Sequence, residues 1–273
     1  MNQVTDQQII EILRKEAVPA LGCTEPVACA LACAKCKEVL GGVPERLDVL
    51  VSGNIYKNGM GVGIPGTGMV GVLPIAAALG AVCGKSEYGL EVLKEVNVGD
   101  NLQRAKDMLG QVTVSLKEDA PDKLYAEALA TKGNDTVKVI IAHTHTNIVL
   151  VEKNGDEIFK REFRLDTSKP EDKGPELSAK RIWDFVHEVD VKDIEFVLQG
   201  AEMNKAISAE GLNSEYGLQI GKTLKENIDK GLLEDDLLNR TLIRATAASD
   251  ARMDGCPKPV MTNSGSGNQG ITV

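Results

Sequence analysis

Aromatic side chains are scarce: one Trp, four Tyr and four Phe make up 3% of 273 residues, and there are only three His. That scarcity excludes base-stacking platforms and aromatic sugar sites, and leaves an aliphatic core. Positive charge is also short, with 31 Lys and Arg against 40 Asp and Glu and a net charge of -9. An acidic chain of this kind is a poor partner for nucleic acid or an anionic membrane. Residues 58–84 carry no charge, but their first half, NGMGVGIPGTGMVG, is glycine-rich. Only Val72 to Val82 reads as continuous apolar helix, too short for a membrane span. The opening MNQVTDQQIIEILRKEA lacks the basic start and compact apolar run of a secretory signal. A cytoplasmic location is expected.

What is present is globular: 42% hydrophobic and 26% charged residues, in a length that fits one large domain or two smaller ones. Helix-spaced Ile9, Ile10 and Leu13 predict a helix over 5–17, with Thr5 or Asp6 as its cap. A second helix is predicted from Thr24 to Leu40, closed by Gly41 and Gly42. A strand is expected over 46–56, then a glycine-rich loop, then helices near 70–83, 87–96 and 100–109. From 111, QVTVSLK, KLYAEALAT, TVKVIIAHTHT, NIVLVEK and DEIFKREF are short β-rich runs separated by turn formers, which predicts an antiparallel meander. A polar linker over 165–176 precedes helices through 253, including one at 233–253. The fold class is α+β. The expected division is an α+β domain over 1–165 and a helical domain over 177–273, the latter ending where a further element would begin.

Six cysteines stand at 23, 29, 33, 36, 83 and 256, too clustered for a disulfide framework. Cys29, Cys33 and Cys36 match C-x3-C-x2-C, a cluster-binding spacing, but the residues between them favour helix. Offsets of 4 and 7 then place the three sulfurs on one core-facing stripe. Cys23 precedes the predicted N-cap Thr24. A helix N-terminus there favours the thiolate, the reactive and metal-binding form; the alternative is a small residue in a tight turn.

G-x-G-x-x-G occurs twice, at Gly61, Gly63, Gly66 and at Gly66, Gly68, Gly71, without a following βαβ unit. A packing loop is the expected role, with a carboxylate-receiving nest as the alternative. His143 and His145 are expected on one strand face at the surface, with metal binding as the rival reading. Asp250 and Asp254 are expected at a solvated helix end, with acid–base work as the rival. The segment Thr262 to Gly270 concentrates hydroxyls, amides and backbone N–H groups at an expected helix start. Such a set suits an amino acid's carboxylate and amine.

Three long motifs, GCTEPVACALA (22–32), SGNIYKNGMGVGIPGT (52–67) and SDARMDGCPKPVMTNSGSGNQGI (249–271), occur in that order. With them the chain resembles the L-cysteine desulfidase family, which is related to the alpha-chain-like part of iron–sulfur L-serine dehydratases. The resemblance spans the whole chain and the N-terminal two thirds or so of a typical member. It implies an amino-acid β-eliminating lyase without pyridoxal phosphate, yielding pyruvate, ammonia and sulfide or water. It also implies a 4Fe–4S cluster on three cysteines, with an open iron acting as Lewis acid.

Carried over by position, Cys23 is a cluster ligand and catalytic residue. Asn263, Ser264, Ser266, Asn268 and Gln269 form the substrate loop. Thr24, Lys57, Asn54 and Thr67 belong to the first two motifs, Lys57 with a catalytic role and the others facing substrate. The family's other cluster cysteines fall beyond this chain, in a missing C-terminal region or a second subunit, and the five remaining cysteines do not replace them. A homo-oligomer is compatible. The rival functions are a non-catalytic amino-acid-binding or regulatory module, and a thiol sensor.

Overall fold

The computed structural model describes residues 4–70, 73–161 and 177–273. The expected linker over 165–176 lies outside them. Helix α1 (Asp6–Glu16) opens with a capping box between Thr5 and Gln8. Strand β1 (Pro19–Ala20) leads into α2 (Thr24–Leu40), which ends on Gly41 in the left-handed region at φ 72°. Strand β2 (Arg46–Val51) is shorter than expected, because the Ser52 side chain caps α3 (Gly53–Gly59). The glycine-rich stretch forms a small hairpin, β3 (Gly63–Ile64) and β4 (Met69–Val70), ahead of α4 (Leu73–Val82). The helix expected over 87–96 is instead a 3-10 turn at Ser86–Glu91, broken by Gly89 at φ 52°. Then come α5 (Asn101–Asp107), β5 (Val112–Leu116), β6 (Tyr125–Lys132), β7 (Asp135–Ala142), β8 (Ile148–Lys153) and β9 (Asp156–Lys160).

The helical half holds α6 (Ala179–Glu188), α7 (Val191–Ile194), α8 (Leu198–Asn213), α9 (Ile220–Asp229) and α10 (Leu237–Met253). Helix α10 starts later than expected because the Asp236 carboxylate caps it. Strand β10 (Val260–Met261) and α11 (Gly267–Thr272) close the chain. The architecture is α+β. Among the described residues, no helix is long and apolar enough to cross a membrane.

The main sheet runs β5-β2-β6-β7-β8-β9. Strands β6 to β9 are the antiparallel meander, but β5 pairs parallel with β2, so the run from 111 is not antiparallel throughout. One inward row crosses five strands: Val114, Val49, Ala128, Val139 and Val151. Helix α2 lies on this face, where Cys36 Sγ donates to the carbonyls of Ala128 and Val137 at 3.5 and 3.7 Å. Small residues let α4 pack tightly on α2: a Cβ at Gly80 would stand 2.7 Å from the Ala30 Cα. Both helices are apolar on nearly all sides, the pattern of a helix enclosed by core.

Two features tie the chain's start to its helical half. Strand β1 pairs antiparallel with β10, and Ile9 and Ile10 of α1 pack with Phe185 of α6. Hydrogen bonds from the Thr262 hydroxyl to the carbonyls of Glu16 and Val18 reinforce the join. This join positions the site.

Candidate functional site

A cleft of about 600 Å³ opens between the start of α2, the end of α3, the β7–β8 turn, the end of α10 and the loop before α11. Its first wall begins with Gly22 at φ 77°, where a Cβ would stand 2.8 Å from Pro65 Cδ. Glycine at this position lets the chain turn sharply into α2. Cys23, not Thr24, is the N-cap residue, and its side chain makes no capping bond. Its thiol donates instead to Glu25 Oε2 at 2.9 Å. Asn58, from the end of α3, donates to Glu25 Oε1 at 3.0 Å.

The opposite wall is the loop between β10 and α11. Asn263 and Ser266 exchange two backbone hydrogen bonds around Ser264 at φ 49° and Gly265 at φ 73°. Two adjacent positive φ values make the turn type I′, which requires residues tolerant of the left-handed region. Ser266 then caps α11 through its hydroxyl.

Arg252 joins the two walls. Only 4% exposed, it donates from Nη2 to the Gly22 carbonyl at 2.9 Å and from Nη1 to Asn268 Oδ1 at 3.0 Å. Its Nε is buried without a hydrogen-bond partner, close against Gly267. Burial lowers the guanidinium's pKa, and the neighbouring Cys23 and Glu25 oppose that shift.

The thiolate expected at Cys23 is a thiol in this state. Burial pushes its pKa up to about 12, reinforced by the charge and hydrogen bond of Glu25, while Arg252 pulls the other way. The helix N-terminus is outweighed because the sulfur is buried and a carboxylate sits beside it. Burial also acts to raise the Glu25 pKa, but the hydrogen bonds from Cys23 and Asn58 outweigh it and the net shift is downward.

Of the residues singled out from the sequence, Cys23, Thr24, Lys57, Ser264, Ser266 and Asn268 line this cleft. Four others stand apart. Asn54 faces a separate depression beside Ser52 and Lys117. Thr67 is buried, its hydroxyl bridging the Ile64 carbonyl and the Met69 N–H in the β3–β4 turn. Asn263 lines a groove behind the loop, and Gln269 is exposed on α11.

The histidines do not share a strand face. Strand β7 ends at Ala142, and His143, at φ 70°, pairs with Asp122 at 2.6 Å while His145 turns into the cleft. Asp250 and Asp254 accept the backbone N–H groups of Ile220 and Gly217, holding the turn before α9. Glu25, Asn58, His145 and Arg252 were missed as site residues. Glu25, Asn58 and Arg252 lie inside the three quoted motifs, one in each.

A serine dehydratase alpha chain profile matches residues 87–273, more than half of the chain. The chain belongs to the serine dehydratase alpha-chain family. The profile takes in His145, Arg252 and the 264–268 loop, whereas Cys23, Glu25, Lys57 and Asn58 precede it. Similar proteins extend across those residues too. A "UPF0597 protein" of Actinobacillus pleuropneumoniae serotype 3 (strain JL03) is 49% identical over 269 residues, covering 98% of this chain and 62% of the relative. One of Dichelobacter nodosus (strain VCS1703A) is 49% identical over 271 residues, with the same coverage. One of Parabacteroides distasonis is 46% identical over 277 residues, covering 99% of this chain and 63% of the relative. The chain therefore spans somewhat under two thirds of the length of the curated relatives it matches. No solved structure matches it.

The donor set does not fit a three-cysteine cluster within this member of the family. Cys23 alone among the six cysteines lines the cleft. Cys29, Cys33 and Cys36 are wholly buried in α2, and Cys83 and Cys256 lie in separate parts of the core. Among the described residues, no group of three His, Cys, Asp or Glu stands close enough to hold a metal ion.

Proposed function

We propose that this chain carries the amino-acid-binding cleft of a β-eliminating lyase acting on L-serine or L-cysteine. The observation behind this reading is the Arg252 clasp, which draws the Cys23 turn and the 264–268 loop, some 240 residues apart, around one small cavity. Lys57 and Arg252 bring two positive charges to the cleft and Glu25 one negative charge. That balance suits a ligand with a carboxylate and an ammonium group. The Ser264 and Ser266 hydroxyls and the backbone of the intervening turn offer donors to the carboxylate. The carboxylate of Glu25 and the amide of Asn268 offer acceptors to the ammonium.

In this reading Cys23 is one ligand of a 4Fe–4S cluster, and the others come from cysteines outside these 273 residues. Elimination would give pyruvate and ammonia, with sulfide from cysteine or water from serine.

A second reading is favoured by the single cleft cysteine: an amino-acid-binding or regulatory module without turnover. Calorimetry with L-serine and L-cysteine, on the chain alone, tests the cleft. Anaerobic iron and sulfide loading, on the chain completed to the length of its relatives, tests the chemistry. The lyase reading expects broad visible absorbance and pyruvate release, both lost in Cys23→Ala while amino-acid binding persists. Binding without pyruvate under any loading favours the module, and full turnover by Cys23→Ala removes the cysteine from the mechanism.

A further inference from the structure

We propose that the groove between α8, α11 and the end of α1 is the seat of the segment by which the relatives extend past Val273, a segment with an apolar face flanked by acidic side chains. This seat is separate from the amino-acid cleft and does not depend on the lyase reading. The groove encloses about 670 Å³ and lies behind the 264–268 loop: Asn263 faces it, whereas Ser264 and Ser266 face the cleft. Its walls carry Leu13, Ala17, Leu198, Ala201, Met261 and Ile271. Val197 and Leu198, also on the wall, are 44% and 61% exposed. Contiguous apolar surface of this kind marks a contact that another segment covers.

The groove is held open from within. Asn204 of α8 accepts the Met261 N–H at 2.9 Å and donates to the Gly270 carbonyl at 2.8 Å, which fixes α8 against both β10 and α11. Gly270 packs on the backbone of β10 and its loop, where a Cβ would stand 2.8 Å from the Thr262 carbonyl carbon. The walls cannot slide together to bury their own apolar surface, so burial has to come from an incoming segment, which finds its seat already formed.

Length, position and charge choose the occupant. The matched part is 62–63% of the relatives' length, so each carries more than a third outside it. Val273 stands in the groove wall, so residues joined after it start within the groove. A segment tethered there has an effective concentration on the order of millimolar, an advantage no free partner shares. Lys205 and Arg244 line the same groove, exposed and without an ion pair among the described residues, against the one carboxylate of Glu16. Their surplus positive charge specifies carboxylates on the incoming segment, whereas a two-fold-related second copy would bring the same surplus to its partner. A segment seated here also braces the 264–268 loop from behind, because Asn263 and Ser266 share two backbone hydrogen bonds.

The test is thiol accessibility. All six native cysteines are buried, so Ala201→Cys places one accessible thiol in the groove. Alkylation by iodoacetamide is followed by mass spectrometry at the peptide bearing position 201. The 273-residue chain is compared with the same chain completed by the part of the Actinobacillus relative that lies beyond the match, both metal-free. Alkylation should be at least about tenfold slower in the completed chain, while Asp156→Cys, at the exposed start of β9, reacts alike in both. Leu198→Cys should repeat the pattern, and circular dichroism matching wild type guards against misfolding. Adding Arg244→Glu to Ala201→Cys should speed alkylation of the completed chain several-fold at low salt; no change there overturns the acidic flank. Equal alkylation of the two chains at both positions overturns the seat. Slowing that grows with the concentration of the 273-residue chain assigns the groove to a second copy and overturns the occupant.

Discussion

Replacing Gly267 with alanine tests the clasp directly. The added Cβ would stand 2.6 Å from Arg252 Cζ and 2.7 Å from Nη2, whereas ordinary contact begins near 3.4 Å. Arg252 Nε stands closer still, so relief requires the guanidinium to retreat by about 1 Å. A shift of that size breaks the geometry of its bonds of 2.9 Å to Gly22 and 3.0 Å to Asn268. Bonds from a charged donor contribute about 1.5–3 kcal/mol each, so two are worth about 3–6 kcal/mol. Asn268 is half-buried and can turn to water, which brings the expected loss to about 2–4 kcal/mol. Urea unfolding followed by circular dichroism measures it, as a lower midpoint at unchanged slope.

Two companions isolate the cause. Gly265→Ala meets no neighbour but sits at φ 73°, so it should cost only the left-handed strain of about 1–2 kcal/mol. In an Arg252→Met background the flexible thioether can yield, and Gly267→Ala should become at least about 1.5 kcal/mol cheaper, a coupling readable from a double-mutant cycle. An equal cost in both backgrounds would refute the clasp.

Further expectations follow from the same geometry. Gly80→Ala would press a methyl into the Ala30 backbone, which cannot swing aside, so a loss of about 3 kcal/mol is expected in urea unfolding. Cys23, Cys29 and Cys36 have pKa values pushed by burial from 9.0 to about 12. The folded state therefore holds protons that the unfolded chain releases, and stability present below pH 9 should decline as pH rises toward 12. A urea midpoint that stays level from pH 8 to pH 10.5 would contradict this. In the metal-free chain Cys23 should alkylate slowly with iodoacetamide at pH 8, and Glu25→Gln should speed it by removing the carboxylate that holds its proton and repels the thiolate. Thr5→Ala, which removes the α1 capping box, should cost about 1 kcal/mol.

Local structure was legible where one segment's own chemistry decides it. Thr5 as a cap, Gly41 as a left-handed stop, the turn glycines between the β6 to β9 strands and the cysteine stripe on α2 each depend on near neighbours in the chain. Expectations failed where a competing partner was present, whether next in the chain or far along it. Ser52 ends β2 by capping α3, although the residues after it alternate like a strand. His143 adopts a positive φ to pair with Asp122, which is 21 residues away, and this turns His145 off the expected strand face.

By itself the sequence determined the α+β class, an aliphatic core, Cys23 at the mouth of a helix and an amide-rich loop near residue 266. Tertiary structure alone decided that β5 lies parallel to β2, that β1 joins β10, and that the loop faces Cys23 across one cleft. It also decided the protonation of that cysteine, because burial and a neighbouring carboxylate act through space and outweigh the field of the helix to which the residue belongs. Arg252 shows the difference most clearly: near the end of α10 it reads as an ordinary C-terminal cation, and only burial between Gly22 and Asn268 makes it the joint of the site.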